Sequence, residues 1–303
     1  MKTAPVWGMD LGGTKIEILV MDPVTHEVLF RERTDTEKDQ GRERILANMQ
    51  QLVSDAITAT GHHPARIGIA TPGTSDPLTG LLKNSNTTCL NHTPVKQDLE
   101  SLLGLPVVMA NDANCFALAE TSLGVIADTC PAANVVFGII MGTGVGGGIV
   151  VNGKVIGGIH GIGGEWGHIL LDDQCGDCYC GKQGCVETVI SGPALERFYA
   201  DRTGKPQRLA EIAAREAEDA DAAATISHLI NQFAKGVTQV INVLDPDAIV
   251  IGGGVGNIDA LYEPRTITAI EQHLFNPVFN GRILKPALGD SAGVFGAAML
   301  VAP

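Results

Sequence analysis

Four of the seven cysteines in this 303-residue chain fall within eleven consecutive positions. They are Cys175, Cys178, Cys180 and Cys185. Thiolate sulfur and imidazole nitrogen are the ligands that tetrahedral zinc prefers in closed structural sites. His168 precedes the group, and together with this histidine the spacing Cys178-x-Cys180-x4-Cys185 predicts a Cys3His zinc site. Because such a site has no open position for a substrate, we expect the metal to be structural.

Other interpretations of these residues stay open. Cys175 and Cys178 also form a C-x-x-C pair, so spacing alone does not decide which cysteines would bind the metal. A lone histidine in a glycine-rich loop is otherwise a surface or core residue, and clustered cysteines also form disulfides or nucleic-acid zinc fingers. The net charge of −13 and the lack of an adjacent basic helix disfavour a zinc finger. The chain has an odd number of cysteines and four of them cluster, which favours a cytoplasmic metal site over a disulfide framework.

Two carboxylates flank the predicted metal loop. Glu165 lies three positions before His168, and Glu187 lies two positions after Cys185. Paired carboxylates suit the recognition of a polyol, because each accepts hydrogen bonds from neighbouring hydroxyls. The alternative for Glu187 is a solvated residue at the start of a helix. Amide side chains in the loop LKNSNTTCLN, among them Asn86, could add polar contacts, although turns alone also explain asparagine-rich loops.

Two glycine-rich turns, about 130 residues apart, have the composition of phosphate-binding loops. Glycine lets the backbone approach a phosphate, whose oxygens the turn amides and a threonine hydroxyl can bind. The first turn carries Asp10, Gly12, Gly13, Thr14 and Lys15, and the second carries Gly142, Thr143, Gly144, Gly146 and Gly147. Asp10 could hold Mg²⁺ through water, and Gly252–Gly254 could flank a nucleobase or ribose. Each turn alone is also compatible with an ordinary hairpin.

The dipeptide Asn111-Asp112 follows an apolar strand and opens a helix, a usual place for active-site side chains in α/β proteins. Asp112 could accept the proton of a substrate hydroxyl that attacks a γ-phosphate. The alternative is a helix N-cap, for which asparagine and aspartate are both favoured.

A repeated element pattern predicts the architecture. Strand, glycine turn, strand, tight turn and strand occur near the N-terminus and again from about residue 134, so we expect two similar α/β lobes. We predict one lobe at 1–123 and one at 124–303, with the helix at 292–303 able to pack back on the first. The start lacks the apolar segment of a signal peptide, and no apolar run approaches the roughly 18 residues of a transmembrane helix. We therefore expect a cytoplasmic protein that contacts neither membrane nor nucleic acid.

The order of five motifs identifies a resemblance that covers essentially the whole chain. DLGGTK, NDAN, MGTGVGGG, GEWGH and CYCGKQGCVE resemble the ROK family of sugar kinases and related repressors. The runs PGTSDPLTGLLKNSNTTCLN and CYCGKQGCVETVISG look most like its bacterial fructokinase/mannokinase branch. N-acetylglucosamine kinases of the family are also similar, but more often carry Phe where Trp166 stands. Only nine residues precede Asp10, so the DNA-binding segment of the repressors is not expected.

The resemblance implies a two-lobed, actin-like (ribonuclease-H-like) ATPase fold with a zinc-binding loop at 165–187 in the second lobe. It implies that Asp112 is the catalytic base. The implied sugar contacts are Gly73, Asn86, Asn111, Asp112, Glu165, His168 and Glu187. The implied zinc ligands are His168, Cys178, Cys180 and Cys185. Implied nucleotide contacts are the turns from Gly8 to Lys15 and from Gly142 to Ile149, to which we add Gly253 and Gly254.

By this resemblance, we expect ATP- and Mg²⁺-dependent phosphorylation of a free hexose at its 6-hydroxyl, with D-fructose as the first candidate. Mannose, glucose and N-acetylglucosamine are the alternative substrates. A non-catalytic sugar-sensing module on the same fold is the alternative from a different class. We also expect a structural Zn²⁺ and a homodimer.

Overall fold

The computed structural model describes residues 4–173 and 175–303 and divides the chain into two compact units. The first unit comprises Met1–Asp128, Gly148–Gly163 and Leu288–Pro303, and the second comprises Thr129–Gly147 and Gly164–Ala287.

Twelve strands are present in the described residues. They are β1 (Val6–Leu11), β2 (Lys15–Met21), β3 (Val28–Asp35), β4 (Ile67–Thr71), β5 (Thr74–Ser75), β6 (Leu82–Lys83), β7 (Val107–Asn111), β8 (Val135–Met141), β9 (Val145–Val151), β10 (Lys154–Val155), β11 (Ala248–Gly252) and β12 (Arg282–Leu284).

Eleven α-helices accompany them in the same residues. They are α1 (Arg42–Thr60), α2 (Val95–Leu103), α3 (Asp112–Ser122), α4 (Val125–Thr129), α5 (Val186–Ile190), α6 (Gly192–Thr203), α7 (Leu209–Ala214), α8 (Ala220–Leu244), α9 (Gly253–Gly256), α10 (Pro264–Glu271) and α11 (Ala292–Met299). Short 3₁₀ helices occur at Lys38–Gln40, Thr88–Leu90, Trp166–His168, Asp259–Tyr262 and Gly289–Ser291.

The two five-stranded sheets have the same internal order, which confirms the predicted repeat. The first runs β3-β2-β1-β4-β7 and the second runs β10-β9-β8-β11-β12. In the first, β1 pairs antiparallel with β2 and parallel with β4. In the second, β8 pairs parallel with β11, which pairs parallel with β12. The fold is therefore α/β with two mixed sheets, consistent with the predicted actin-like class.

Both faces of the first sheet are covered, so its inner strands are buried on both sides. On one face Trp7, Met9 and Leu11 of β1 join a core that also includes Ile45 and Met49 of α1. On the other face Leu19 and Met21 of β2 pack with residues of α11. Alternation along the strands thus divides the apolar side chains between two helical layers.

Helix α11 lies in the first unit, against α3 and β1. The close approach needs glycine, because a Cβ at Gly8 would lie 2.4 Å from the backbone of Ala298. Residues 148–163 also group with the first unit, where β10 contacts α3. The predicted lobes at 1–123 and 124–303 therefore differ from these packing units, and as a domain definition they stay a prediction.

The second glycine turn needs a correction. The sequence analysis assigned Gly146 and Gly147 to this turn, but β9 already begins at Val145, so both residues belong to a strand. The turn itself is therefore shorter than predicted.

Among the described residues, no helix has the length and apolarity that crossing a membrane would require.

Candidate functional site

The first glycine turn connects β1 to β2 and is held by a backbone bond and by a threonine hydroxyl. The Gly12 amide donates to the Lys15 carbonyl (2.9 Å), and the Thr36 hydroxyl donates to the Gly12 carbonyl (2.7 Å). A Cβ at Gly13 would have its nearest neighbour, Asn86 Oδ1, 3.8 Å away. Thr14 and Lys15 are exposed at the turn. The arrangement leaves the backbone of Gly13 accessible to an anion.

Asp10 lies near the end of β1, beside the first turn of α11. A Cβ on Gly293 would come within 2.4 Å of Asp10 Oδ2, so the carboxylate lies directly against the helix backbone. Burial, followed by the negative charges of Asp112 and Glu17, raises the pKa of Asp10 to about 7, although Arg33 acts in the opposite direction. Burial and negative neighbours oppose the ionisation of this carboxyl, and a bound cation would stabilise its charged form.

Asn111 and Asp112 stand side by side at the start of α3 but differ in their contacts and exposure. Asn111 is the N-cap, its Oδ1 accepting from the Ala113 amide (2.9 Å), and its amide nitrogen donates to the Gly73 carbonyl (3.2 Å). Asp112 Oδ1 also accepts from Ala113 (2.8 Å), but this residue is exposed. The helix-capping alternative therefore describes Asn111 better than Asp112.

Two predicted ligand-contacting glycines have clear packing roles. Gly8 is buried in β1 under α11, and its role as a nucleotide contact stays a prediction. Gly73 has φ = 79°, and a Cβ there would lie 2.4 Å from the Lys83 carbonyl. Its own carbonyl already accepts from Asn111, so it shapes the loop around that side chain.

The second glycine turn connects β8 to β9 and is held by a distant carboxylate. Glu187 Oε2, from α5, accepts a hydrogen bond from the Val145 amide (2.9 Å). A Cβ at Gly144 would lie 2.5 Å from the same oxygen, so glycine makes this contact possible. The Gly142 carbonyl accepts from the Gly192 amide (2.8 Å), which joins the turn to the start of α6.

A cavity of about 900 Å³ opens beside this second turn. Its lining combines backbone and charged groups, including Gly142, Thr143, Gly254, Arg208, Asn257 and Glu196. A Cβ at Gly254 would meet no described atom within 4 Å, whereas a Cβ at Gly253 would lie 2.3 Å from the Met141 carbonyl. Of the two predicted glycines, Gly254 therefore faces the cavity and Gly253 makes the sharp turn. No sequence motif marked Arg208 or Asn257.

Trp166 anchors the segment that carries Glu165 and His168. Its ring packs edge-on against Phe137 and Phe233, and its Nε1 donates to the Gly236 carbonyl (3.1 Å). This buried anchor fixes the 3₁₀ turn from Trp166 to His168. Glu165 Oε2 lies 3.8 Å from His168 Nε2. Burial raises the pKa of Glu165, while His168 lowers it and Glu187 raises it.

The two nitrogens of His168 face different partners. Nδ1 lies 3.5 Å from Cys178 Sγ, and Nε2 lies 2.9 Å from the Tyr179 hydroxyl. Tyr179 was not among the predicted site residues. Its only sequence signal is its position between two candidate metal ligands.

The four predicted metal ligands are brought together. The ligand atoms of His168, Cys178, Cys180 and Cys185 all lie within 4.8 Å of one another. Burial raises the pKa of Cys185 to about 12, with its neighbouring thiols adding to the shift. Crowded, partly buried thiols whose ionisation is opposed in this way are stabilised by a shared cation. The set could therefore hold a metal ion, and Cys175 lies outside it.

A model of the ROK family matches residues 6–303. The chain belongs to the ROK family. An N-acetyl-D-glucosamine kinase of Histophilus somni is 36% identical over 309 residues, covering 97% of this chain and 98% of its own. Among solved structures, a ROK hexokinase from Thermus thermophilus is 31% identical with a TM-score of 0.84, covering 97% of both chains. A ROK glucokinase from Streptomyces griseus, solved with glucose and AMPPNP, is 28% identical with a TM-score of 0.74, covering 98% of this chain and 99% of its own.

The predicted site residues of this ROK protein form one group in each unit. Contacts in the first unit link Asn111 to Gly73 and place Asn86 near the Gly13 turn. Contacts in the second unit link Glu165 to His168 and Glu187 to the Gly144 turn. The predicted roles of all these residues remain predictions.

Proposed function

We propose that this ROK protein transfers the γ-phosphoryl group of ATP to the 6-hydroxyl of a hexose or N-acetylhexosamine. N-acetylglucosamine is the first candidate, because a relative named as its kinase aligns over nearly the full length of both chains. This favours one of the alternatives over D-fructose, the first candidate from the sequence. Glucose and mannose remain in the panel of candidates, and a ROK glucokinase solved with glucose has a similar fold.

One observation carries the catalytic proposal: Asn111 serves as the cap of α3, while Asp112 beside it is exposed. Asp112 accepts the proton of the attacking hydroxyl as that oxygen forms its bond to phosphorus and the bond to ADP breaks. Asp10 would hold Mg²⁺, which would offset the charge of the phosphates. The two glycine turns, around Gly13 and Gly144, bind phosphate oxygens, and the cavity near Gly254 accepts the nucleoside.

Sugar recognition is assigned to five polar side chains. Asn86 and Asn111 offer amide groups, and Glu165 and Glu187 offer carboxylate oxygens that accept from sugar hydroxyls. His168 offers Nε2, since its Nδ1 faces the cysteines. Catalysis then arises mainly from positioning and charge stabilisation.

We further propose that the Cys3His set holds a structural Zn²⁺. Bonds of about 2.3 Å to sulfur and about 2.0–2.1 Å to nitrogen, at tetrahedral angles, require S···S near ~3.8 Å and S···N near ~3.5 Å. The Cys180–Cys185 sulfurs are 3.6 Å apart, and Cys178 Sγ is 3.5 Å from His168 Nδ1. When bound, the ion would crosslink the loop that precedes Glu187.

A coupled assay of ADP release over a panel of sugars tests the activity. We expect sugar-dependent turnover with N-acetylglucosamine or another hexose, and a loss of about 10²- to 10⁴-fold in kcat for Asp112→Asn with its folding intact. Near-wild-type turnover of the folded variant would overturn the role of Asp112. Sugar binding with no turnover for any panel member would instead support the non-catalytic sugar sensor.

Elemental analysis of freshly purified protein tests the metal. We expect about one zinc per chain, and Cys185→Ser should lower this content, whereas Cys175→Ser should not. Retention of zinc in the first variant, or its loss in the second, would contradict the proposed ligand set.

A further inference from the structure

Tyr179 makes a hydrogen bond with the nitrogen of His168 that faces away from the cysteines. Its hydroxyl lies 2.9 Å from His168 Nε2, and the two rings meet edge-to-face with centroids 5.0 Å apart. The tyrosine is otherwise 74% exposed. The distance from Nε2 to Glu165 Oε2, 3.8 Å, is too long for a hydrogen bond, so Tyr179 is the partner of Nε2 here.

This contact limits what else His168 can bind. Nε2 of an imidazole has either one N–H or one lone pair, so it makes one good hydrogen bond. The Tyr179 hydroxyl lies within reach of that bond, while Nδ1 faces Cys178. A sugar hydroxyl therefore cannot share Nε2 on equal terms with Tyr179.

We propose that Tyr179 is a specificity-determining residue, whose hydroxyl occupies the position on His168 that a sugar hydroxyl takes on binding. This inference rests on the proposed function, in which Nε2 of His168 contacts the sugar. The tyrosine is exposed and turns about only two side-chain bonds, so displacement of its ring requires little repacking. A sugar that engages His168 replaces the tyrosine bond, whereas a sugar without the matching hydroxyl leaves Nε2 with Tyr179.

In the wild type, the bond to Tyr179 therefore lowers the affinity for sugars whose hydroxyl reaches His168 Nε2. Sugars with the matching hydroxyl exchange one hydrogen bond for another and gain little net free energy from His168. Removing the tyrosine hydroxyl leaves Nε2 bonded to water before binding, so the competing intramolecular bond no longer has to be broken. The increase in affinity should be confined to sugars that present a hydroxyl to His168 Nε2.

The experiment measures sugar binding by titration calorimetry for the full-length wild type, Tyr179→Phe and Gln183→Ala. Phenylalanine keeps the ring and removes the hydroxyl. Gln183 lies in the same loop and donates to Asp177 (2.8 Å), so its variant controls for general loosening of the loop. The ligands are N-acetylglucosamine, or whichever panel sugar is turned over, and its mono-deoxy analogues. Zinc content of each variant verifies that the cluster is unchanged.

We expect Tyr179→Phe to lower the sugar Kd by about 2- to 10-fold, the range that corresponds to one net hydrogen bond. The gain should vanish for one mono-deoxy analogue and persist for the others. KM for the sugar should fall in parallel while kcat stays within about twofold, and Gln183→Ala should match the wild type. An unchanged or raised Kd for the phenylalanine variant would overturn the inference. If the wild type binds no sugar at all, the proposed function itself fails.

Discussion

The two glycine turns occupy equivalent places in the repeated sheets, yet different contacts support them. The turn at Gly12–Lys15 is closed by its own backbone and by Thr36, and an acid, Asp10, stands two residues before its first glycine. Ile140 stands two residues before Gly142 in the second copy. The second turn instead receives its carboxylate from α5, through Glu187. The repeat thus preserves the backbone path while the acidic group and its task differ.

The acid of the first turn gives the largest expected difference in stability. The folded-state pKa of Asp10, about 7, exceeds its ordinary value of 3.8. Its contribution to stability is therefore fully present below about pH 4 and is lost as pH rises through 7. We expect Asp10→Asn to raise the free energy of unfolding at pH 8 by about 2–4 kcal/mol and to leave it nearly unchanged at pH 4, as measured by urea denaturation.

The same variant should lose kinase activity, because a neutral amide is a poor ligand for Mg²⁺. Asp22→Asn is the control, since backbone hydrogen bonds from Thr25 and Val24 lower the pKa of that exposed carboxyl. This control variant should not raise the free energy of unfolding at pH 8. If the free energy of unfolding depends on pH in Asp10→Asn as it does in the wild type, other groups cause that dependence.

Paired alanine substitutions test the second half of the comparison. At Gly144 a Cβ would lie 2.5 Å from Glu187 Oε2, whereas at Gly13 the nearest atom would be 3.8 Å away. Gly144→Ala should displace Glu187 from the Val145 amide and cost about 1.5–3 kcal/mol, the range for a hydrogen bond to a charged group. Gly13→Ala should change the free energy of unfolding by less than about 1 kcal/mol.

Thermal unfolding of the two variants without ligand measures this difference, and the KM for ATP provides a second comparison. The contact of Glu187 with the Val145 amide also orders the second glycine turn beside the cavity. Because Gly144→Ala disrupts this contact, it should raise the KM for ATP. Equal stability losses at both positions would mean that the two turns are equally crowded, contrary to the contacts described above.

Local turn chemistry made part of this architecture readable from the sequence. Asn152 and Gly153 both have positive φ, as the Asn-Gly pair predicts for a tight hairpin, and the glycine turns reveal the repeat. The contact of Glu187 with Val145 joins residues 42 positions apart, which no local pattern reports. The same holds for the cavity residues Arg208 and Asn257, which the fold assembles from separate helices and loops.

Trp166 was one of the features that favoured D-fructose over N-acetylglucosamine as first candidate. The fructokinase preference drew partly on tryptophan at this position, but the side chain is buried against Phe137 and Phe233. A core residue reports how the loop is packed and does not contact a substrate. Exposed residues such as Tyr179 are better placed to distinguish sugars.

The smallest expected effect concerns two buried threonines near the first turn. Thr36 donates its hydroxyl to the Gly12 carbonyl (2.7 Å), whereas Thr87 Oγ1 is buried without a hydrogen-bond partner among the described residues. Both side chains are about equally inaccessible, at 0% and 1% exposure. Valine has the shape of threonine without its hydroxyl, so the same substitution should have opposite signs at the two positions. We expect Thr36→Val to cost about 1 kcal/mol and Thr87→Val to gain about 1 kcal/mol.

Chemical denaturation of both variants at one pH, without ligand, measures this pair. The two variants are matched because each removes one hydroxyl from a buried site close to the same turn. A loss of stability in Thr87→Val similar to that in Thr36→Val would mean that the Thr87 hydroxyl has a partner in solution, such as an ordered water. A gain in Thr87→Val with reduced turnover would instead indicate that the unpaired hydroxyl is retained for the ligand-bound turn.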